Sequence, residues 1–263
     1  MEIARDPRIR SIPWRDLRSL TRLETFLDLV GPLPWLLASW WCATTGRLTL
    51  ALAFSFVFFL AGLRLIHDVF HHNLGLPRWL DELLMVVMSL VMLGSMHAVQ
   101  WNHLRHHRHC MDDDDLEAMS ARLPAWQALV WGPVFPLLLH RAALVRGRAR
   151  VRCWVCLELA LNLALVAAVG LGPRIDFLRY HLVAMAVGQC LTAFFAVWTV
   201  HHDCDRSHFI ARTLRGRLKT WLTFNMFYHV EHHLFPQLPT RRLPALAERL
   251  DAAAPELREK QVF

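Results

Sequence analysis

Apolar residues in this chain come in long unbroken blocks, not in alternation, and the blocks end at histidine, arginine or proline. Leu27 to about Thr45, Leu48 to Ile66, Trp154 to about Leu171 and Leu178 to Val200 each approach the ~20 residues that a helix needs to cross a bilayer. Four transmembrane helices are therefore predicted, over 27–45, 48–66, 154–171 and 178–200. Trp40 and Trp41 stand near the far end of the first, where an aromatic belt would lie, and Pro32 and Pro34 are expected to kink it. A further apolar run over 83–99 is also long enough to cross. A single crossing there would put the histidines before and after it on opposite sides of the membrane. The run is read instead as an interfacial or re-entrant helix, or a helical pair that dips and returns. Trp126 to Leu139, broken by Gly132, Pro133 and Pro136, reads as interfacial, and residues 201–263 as a cytoplasmic cap. The predicted fold is a single all-α integral membrane domain over 1–263, without a repeat at 20–50 residue period.

Composition supports a membrane protein: 55% of residues are hydrophobic and mean hydropathy is positive. A net charge of +7 would suit nucleic acid. No aromatic–basic motif accompanies it, so no nucleic-acid partner is expected. Of the 29 Lys and Arg, only Arg47, Arg174 and Arg179 fall on the outer side of this map, while Arg141, Arg146, Arg148, Arg150 and Arg152 crowd one inner loop. The positive-inside rule then places both termini on the cytoplasmic side. Met1 to about Thr25 is basic with spaced Trp14, Leu17, Leu20 and Leu23, either a surface-lying lead-in or a disordered tail. It lacks a short apolar segment with a cleavage site, so no cleaved signal peptide is expected. The six cysteines are scattered, and Cys153 and Cys156 read as free thiols at the start of an apolar helix.

The 16 histidines carry the chemistry. On a helix, residues three and four apart share a face. His103, His106 and His107 thus aim at one point, as do His229, His232 and His233, and His67 with His71 adds an i, i+4 pair. Neutral imidazole is a common ligand for transition metals. Three clusters at ligand spacing predict a polyhistidine metal site, and the number of rings exceeds what one tetrahedral ion takes, so two metals are expected. A histidine-rich transporter would set its ligands near the bilayer midplane in broken helices, whereas these stand at span ends. His97, His140, His181 and His208 lie outside the clusters and are read as structural or surface residues. Asp112 to Asp115 reads as a solvated or arginine-pairing run. Glu158 and Asn162 are polar residues in a span; Glu158 is expected to snorkel to the inner interface, and both are left out of the site.

The three clusters resemble the histidine boxes of the membrane fatty acid desaturase superfamily, which also holds acyl hydroxylases and β-carotene ketolases and hydroxylases. His67-x3-His71, His103-x2-His106-His107 and His229-x2-His232-His233 carry the resemblance. Further matches are Asp68, the acidic residues after the second box and the run from Asn225 through Tyr228 and Glu231 to Pro236. The resemblance covers roughly Leu27 to Leu250. It implies that His67, His71, His103, His106, His107, His229, His232 and His233 hold two Fe ions, with O2 as co-substrate. A further ligand is implied at the end of the last span, where His202 matches, with His201 as the alternative; His72 could replace His71. Asp68, Asp203, Asn225 and Glu231 stand within a box or one turn from it and are candidates to orient a ligand's outer ring N–H, as is His109. The implied activity is oxidation of an unactivated C–H of a fatty acyl or similar lipid chain, with desaturation first and hydroxylation or carotenoid ketolation as the alternative. A separate electron donor such as ferredoxin is implied, since no dinucleotide, haem or iron–sulfur motif is present. The expected location is a bacterial inner (cytoplasmic) membrane with the active site on the cytoplasmic side.

Overall fold

Proline, glycine and one left-handed residue decide where the apolar blocks become helices. The computed structural model describes residues 3–204 and 211–256. His208, expected to play a structural or surface role, lies outside them, as do parts of the expected cap. The helices in chain order are α1 (Pro7–Arg10), α2 (Arg22–Val30), α3 (Leu33–Thr44), α4 (Leu48–Phe70), α5 (Arg78–Met92), α6 (Met96–His109), α7 (Ala125–Val130), α8 (Phe135–Arg146), α9 (Ala149–Leu171) and α10 (Asp176–Thr192). A π-helical turn over Ala193–Trp198 joins α10 to α11 (Thr199–His201), and α12 (Arg217–Leu222), α13 (His229–Leu234) and α14 (Leu243–Ala253) follow.

Leu48–Phe70, Ala149–Leu171 and the continuous stretch Asp176–His201 are long and apolar enough to cross a membrane, and α5 with α6 would make a fourth crossing if the bent pair is one span. The first expected span does not form one helix. Pro32 has no N–H to donate and closes α2, and α3 after it is 12 residues long, too short at ~1.5 Å per residue for a ~30 Å hydrocarbon core.

The run over 83–99 is divided between α5 and α6, which meet at 110°. Leu93 turns the chain in a left-handed conformation (φ 54°). The joint is polar and buried. Ser95 caps α6 by accepting from the Ala98 N–H at 3.1 Å and donates its own hydroxyl to Glu158 of α9. Glu158 also meets His97 Nδ1 at 2.7 Å, and His97 Nε2 meets Glu82 of α5 at 2.8 Å. Glu158 is fully buried, so it does not snorkel. Its partners sit inside the protein, and an unpaired carboxylate there would be costly. His140 accepts from the Ser95 N–H at 2.8 Å and His181 Nε2 donates to the Val91 carbonyl at 2.8 Å, so both have structural partners.

The main core gathers Phe58, Leu65 and Val69 of α4, Met85 and Met92 of α5, and Met185 of α10. A second core joins the two ends of the chain, where Ile9, Ile12 and Leu17 pack on Leu243, Leu246 and Leu250. The basic lead-in is thus docked on α14.

Candidate metal centre

Each histidine cluster is carried on a helix end that reaches one common region. His67 lies in the last turn of α4 and His71 caps it; His103, His106 and His107 occupy the last two turns of α6; His229, His232 and His233 make up half of α13. The rings assemble into two groups whose donor atoms all lie within 4.8 Å of one another. One group is His67, His71, His103, His107 and His232; the other is His106, Cys110, His201 and His233. His229 joins the second group, with its Nε2 2.9 Å from that of His201 and 3.2 Å from that of His233.

The Nε2 atoms face each other. His103 Nε2 lies 3.0 Å from that of His71 and 3.1 Å from that of His107, and His232 Nε2 lies 2.8 Å from that of His107. In the second group His106 Nε2 is 3.1 Å from that of His201 and 3.3 Å from that of His233. Two carboxylates set the tautomer. His103 Nδ1 donates to Glu117 and His106 Nδ1 to Asp115, both at 2.8 Å. Carboxylates only accept, so in the neutral form of either ring the proton is on Nδ1 and Nε2 offers a lone pair. Burial, and after it the neighbouring imidazoles, hold His71, His229, His232 and His233 well below the ordinary histidine pKa, which keeps them neutral. Other clustered rings point Nε2 at these two or at one another. The Nδ1 atoms of His67, His229, His232 and His233 have no hydrogen-bond partner among the described residues, so each can offer an Nε2 lone pair to a shared cation. Both groups therefore fit a transition-metal ion, and the nitrogen-rich donor set suits iron.

Asp115 comes from the acidic run that reads as solvated. Asp113 and Asp114 are half or more exposed there, but Asp115 is 4% exposed. The chain reverses at Met111 (φ 64°), and the Met111 N–H donates to Asp115 at 2.9 Å. Burial works against this carboxylate, yet the hydrogen bonds from His106, Met111 and Ala118 keep its pKa below the usual value. Asp115→Asn is expected to weaken metal binding by about 10–100-fold, because the amide can present N–H to Nδ1 and turn the His106 proton onto Nε2. Metal content after dialysis against a graded chelator checks this; an unchanged release profile would remove Asp115 from the centre.

The structure sorts the remaining candidates. His201 enters the second group and His202 does not: the His202 ring stacks on Trp198 with centroids 4.2 Å apart. The reason lies in the π-helical turn. Met185, Gln189, Ala193, Val197 and His201 are all buried, a four-residue repeat that would drift by about 40° per step in a regular α-helix. The wider turn takes up this drift and leaves His201 facing inward. His72 (φ 56°) points to Asp81 at 2.7 Å with its side chain 44% exposed, so His71 is the member that joins a group. His109 is likewise outside, facing Asp112 at 3.3 Å.

Among the described residues, the hydrogen bonds of the four expected orienting groups go elsewhere than to the clustered rings. Asp68 accepts from the Thr240 N–H at 3.0 Å and its hydroxyl at 2.7 Å, and Arg64 stands 3.5 Å away. Glu231 accepts from Thr213 at 2.6 Å and Arg215 at 2.8 Å; burial raises its pKa against those partners. Asp203 is 69% exposed beside His202 and Arg212. Asn225 (φ 62°) sits in a surface groove with Trp221, Phe224 and Tyr228. Asp68 and Glu231 lie on a different face of the helix that carries the box, and Asp203 and Asn225 lie in turns beside it. Sequence reasoning missed Cys110, whose Sγ is 3.7 Å from His106 Nε2. Its position four residues after His106 was the available signal.

A helical bundle with membrane-length apolar helices and two buried polyhistidine groups at their ends defines a class of membrane protein built around a paired metal-binding centre. Residues 38–262 match the fatty acid desaturase family, and the chain belongs to that family. It is 29% identical over 195 residues to the Homo sapiens sphingolipid delta(4)-desaturase/C4-monooxygenase DES2, covering 68% of this chain and 58% of that protein. It is 28% identical over 152 residues to the Drosophila melanogaster sphingolipid delta(4)-desaturase DES1, covering 54% of this chain and 46% of that protein. The chain thus spans about half the length of these curated relatives.

Proposed function

We propose that the protein is an O2-dependent diiron oxidoreductase that acts on an unactivated C–H of a long-chain lipid, with desaturation as its main outcome. The observation that carries this reading is the convergence of imidazole nitrogens in two adjoining groups, in a chain of the desaturase family. His67, His71, His103, His107 and His232 would hold one iron, and His106, His201, His229 and His233 the other. Activating O2 for hydrogen abstraction from an alkyl chain is the chemistry that a pair of irons supplies and that side-chain acids and bases cannot. Asp115 and Glu117 keep His106 and His103 in the metal-binding tautomer. The near-complete burial of His106, His201 and His232 keeps bulk water from the centre. The names of the relatives make a sphingolipid-type chain the first substrate to test. The arginine-rich inner loop would steer an acidic electron carrier such as ferredoxin, and the distribution of Lys and Arg supports a centre on the cytoplasmic face.

The name of the human relative joins desaturation with C4 oxygenation, so hydroxylation at the same centre is the second reading. Both begin with the same hydrogen abstraction. Lipid profiling of membranes with and without the protein, supplied with O2 and a reduced ferredoxin, separates them: loss of two hydrogens marks a desaturase, gain of one oxygen a hydroxylase. A lipid profile unaltered by the protein, with iron bound and reductant consumed, would overturn both.

A further inference from the structure

We propose that the cleft between α5 and α9 is a binding site for an anionic phospholipid, with the phosphate held between Arg78 and Arg150 and one acyl chain laid along the two helices. The cleft has a volume of about 550 Å³. Its mouth carries Arg78 and Arg150 at the starts of the two helices, each beside a tryptophan, Trp79 or Trp154. Two turns further along, the lining becomes apolar through Leu83 and Val86 of α5 and Leu157 of α9. A charged, tryptophan-flanked mouth that gives way to an apolar floor within about 12 Å along each helix has the polarity profile of a phospholipid at the membrane interface. Trp79 is 68% exposed and Leu83 and Leu157 are 49% and 44% exposed, so the protein itself does not cover this surface.

Charge complementarity selects the headgroup. The acidic residue of the mouth is Glu82, and its two oxygens are taken by Arg150 at 2.8 Å and His97 at 2.8 Å. Arg78 forms no hydrogen bond or ion pair among the described residues, and Asp81, one turn on, is engaged by His72. Arg148 and Arg152 flank the same end of α9. The mouth is therefore net positive, and its Arg78 guanidinium feels Asp81 only through space, without a hydrogen bond. A zwitterionic lipid would bring its own cation to that place and gain less.

The cleft lies outside the metal centre but is wired to it. From the mouth, Arg150, Glu82, His97, Glu158 and Ser95 form a continuous chain of polar contacts that ends at the cap of α6, the helix that carries His103, His106 and His107. A phosphate bound at Arg150 would brace that chain at its exposed end.

The test uses the full protein in phosphatidylcholine nanodiscs with increasing phosphatidylglycerol. The unfolding midpoint is expected to rise with the phosphatidylglycerol fraction, and native mass spectrometry is expected to find phosphatidylglycerol retained over phosphatidylcholine. Arg78→Gln removes an exposed charge without breaking a hydrogen bond or ion pair among the described residues, and should lower that retention about fivefold while leaving the midpoint in pure phosphatidylcholine nearly unchanged. Equal retention of the two lipids by the unsubstituted protein would overturn the proposal. So would equal phosphatidylglycerol retention by Arg78→Gln, or a midpoint rise produced equally by inorganic phosphate.

Discussion

His201→Ala is expected to empty the second histidine group of its metal, while His202→Ala leaves both groups loaded. His201 Nε2 stands 3.1 Å from that of His106 and 2.9 Å from that of His229, so its loss opens that group to water on one side. His202 contributes its ring to a stack on Trp198 and an exposed contact with Asp203. Iron per protein should fall by about half in the first variant, and turnover by more than the roughly 10–100-fold that loss of an outer-sphere partner costs. The second should keep its iron and most of its activity. The measurement is metal analysis of both variants beside product formation; the reverse pattern would return His202 to the site and remove His201.

The second large effect falls on stability. Asp68→Ala should lower the unfolding free energy by about 3–5 kcal/mol, the cost of breaking one side of a buried ionic network. Asp68 is fully buried, Arg64 8% exposed and Asp28 2% exposed. Arg64 Nε donates to Thr240 at 2.6 Å, its outer nitrogen donates to Asp28 at 2.8 Å, and Thr240 donates to Asp68 through both N–H and hydroxyl. Removing Asp68 strands the Thr240 N–H and takes one of two counter-charges from Arg64. Asp68→Asn retains an acceptor and should cost less. Thermal unfolding in detergent ranks the three proteins, and an alanine variant that melts with the parent would show that the network adds nothing.

Much of this centre was legible in the sequence because helix periodicity turns spacing into direction. His103, His106 and His107 share a face of α6 for the reason that any residues at i, i+3 and i+4 do, and the same holds for α13. Legibility ended where the helix departs from that period or where the chain folds back. The resemblance implied a ligand at the end of the last span, with His202 first and His201 as the alternative, and the π-helical turn leaves His201 as the inward-facing one. Asp115 was hidden because four consecutive aspartates look solvated together, although the turn at Met111 buries only the last of them. Asp68 and Glu231 were close to the boxes in sequence, but proximity along a helix does not say which face a carboxylate takes. Asp68 turned to Thr240, far along toward the C-terminus, and Glu231 to Thr213 and Arg215, on the segment that precedes its own helix. In the first apolar block, hydropathy measured length correctly while Pro32 divided the helix.

The widened turn before His201 also changes how the last long helix tolerates edits. A π-helical bulge holds one residue more than the regular turn it replaces, so excising a single position such as Ala196 would let the segment relax to plain geometry with everything downstream still aimed as before. The same excision two or three turns upstream, at Val187 for instance, would rotate the helix end by about 100° and swing the His201 imidazole out of the cluster. In this protein a short slack segment, with no donor atom in the centre, absorbs length changes on behalf of the histidine-bearing end.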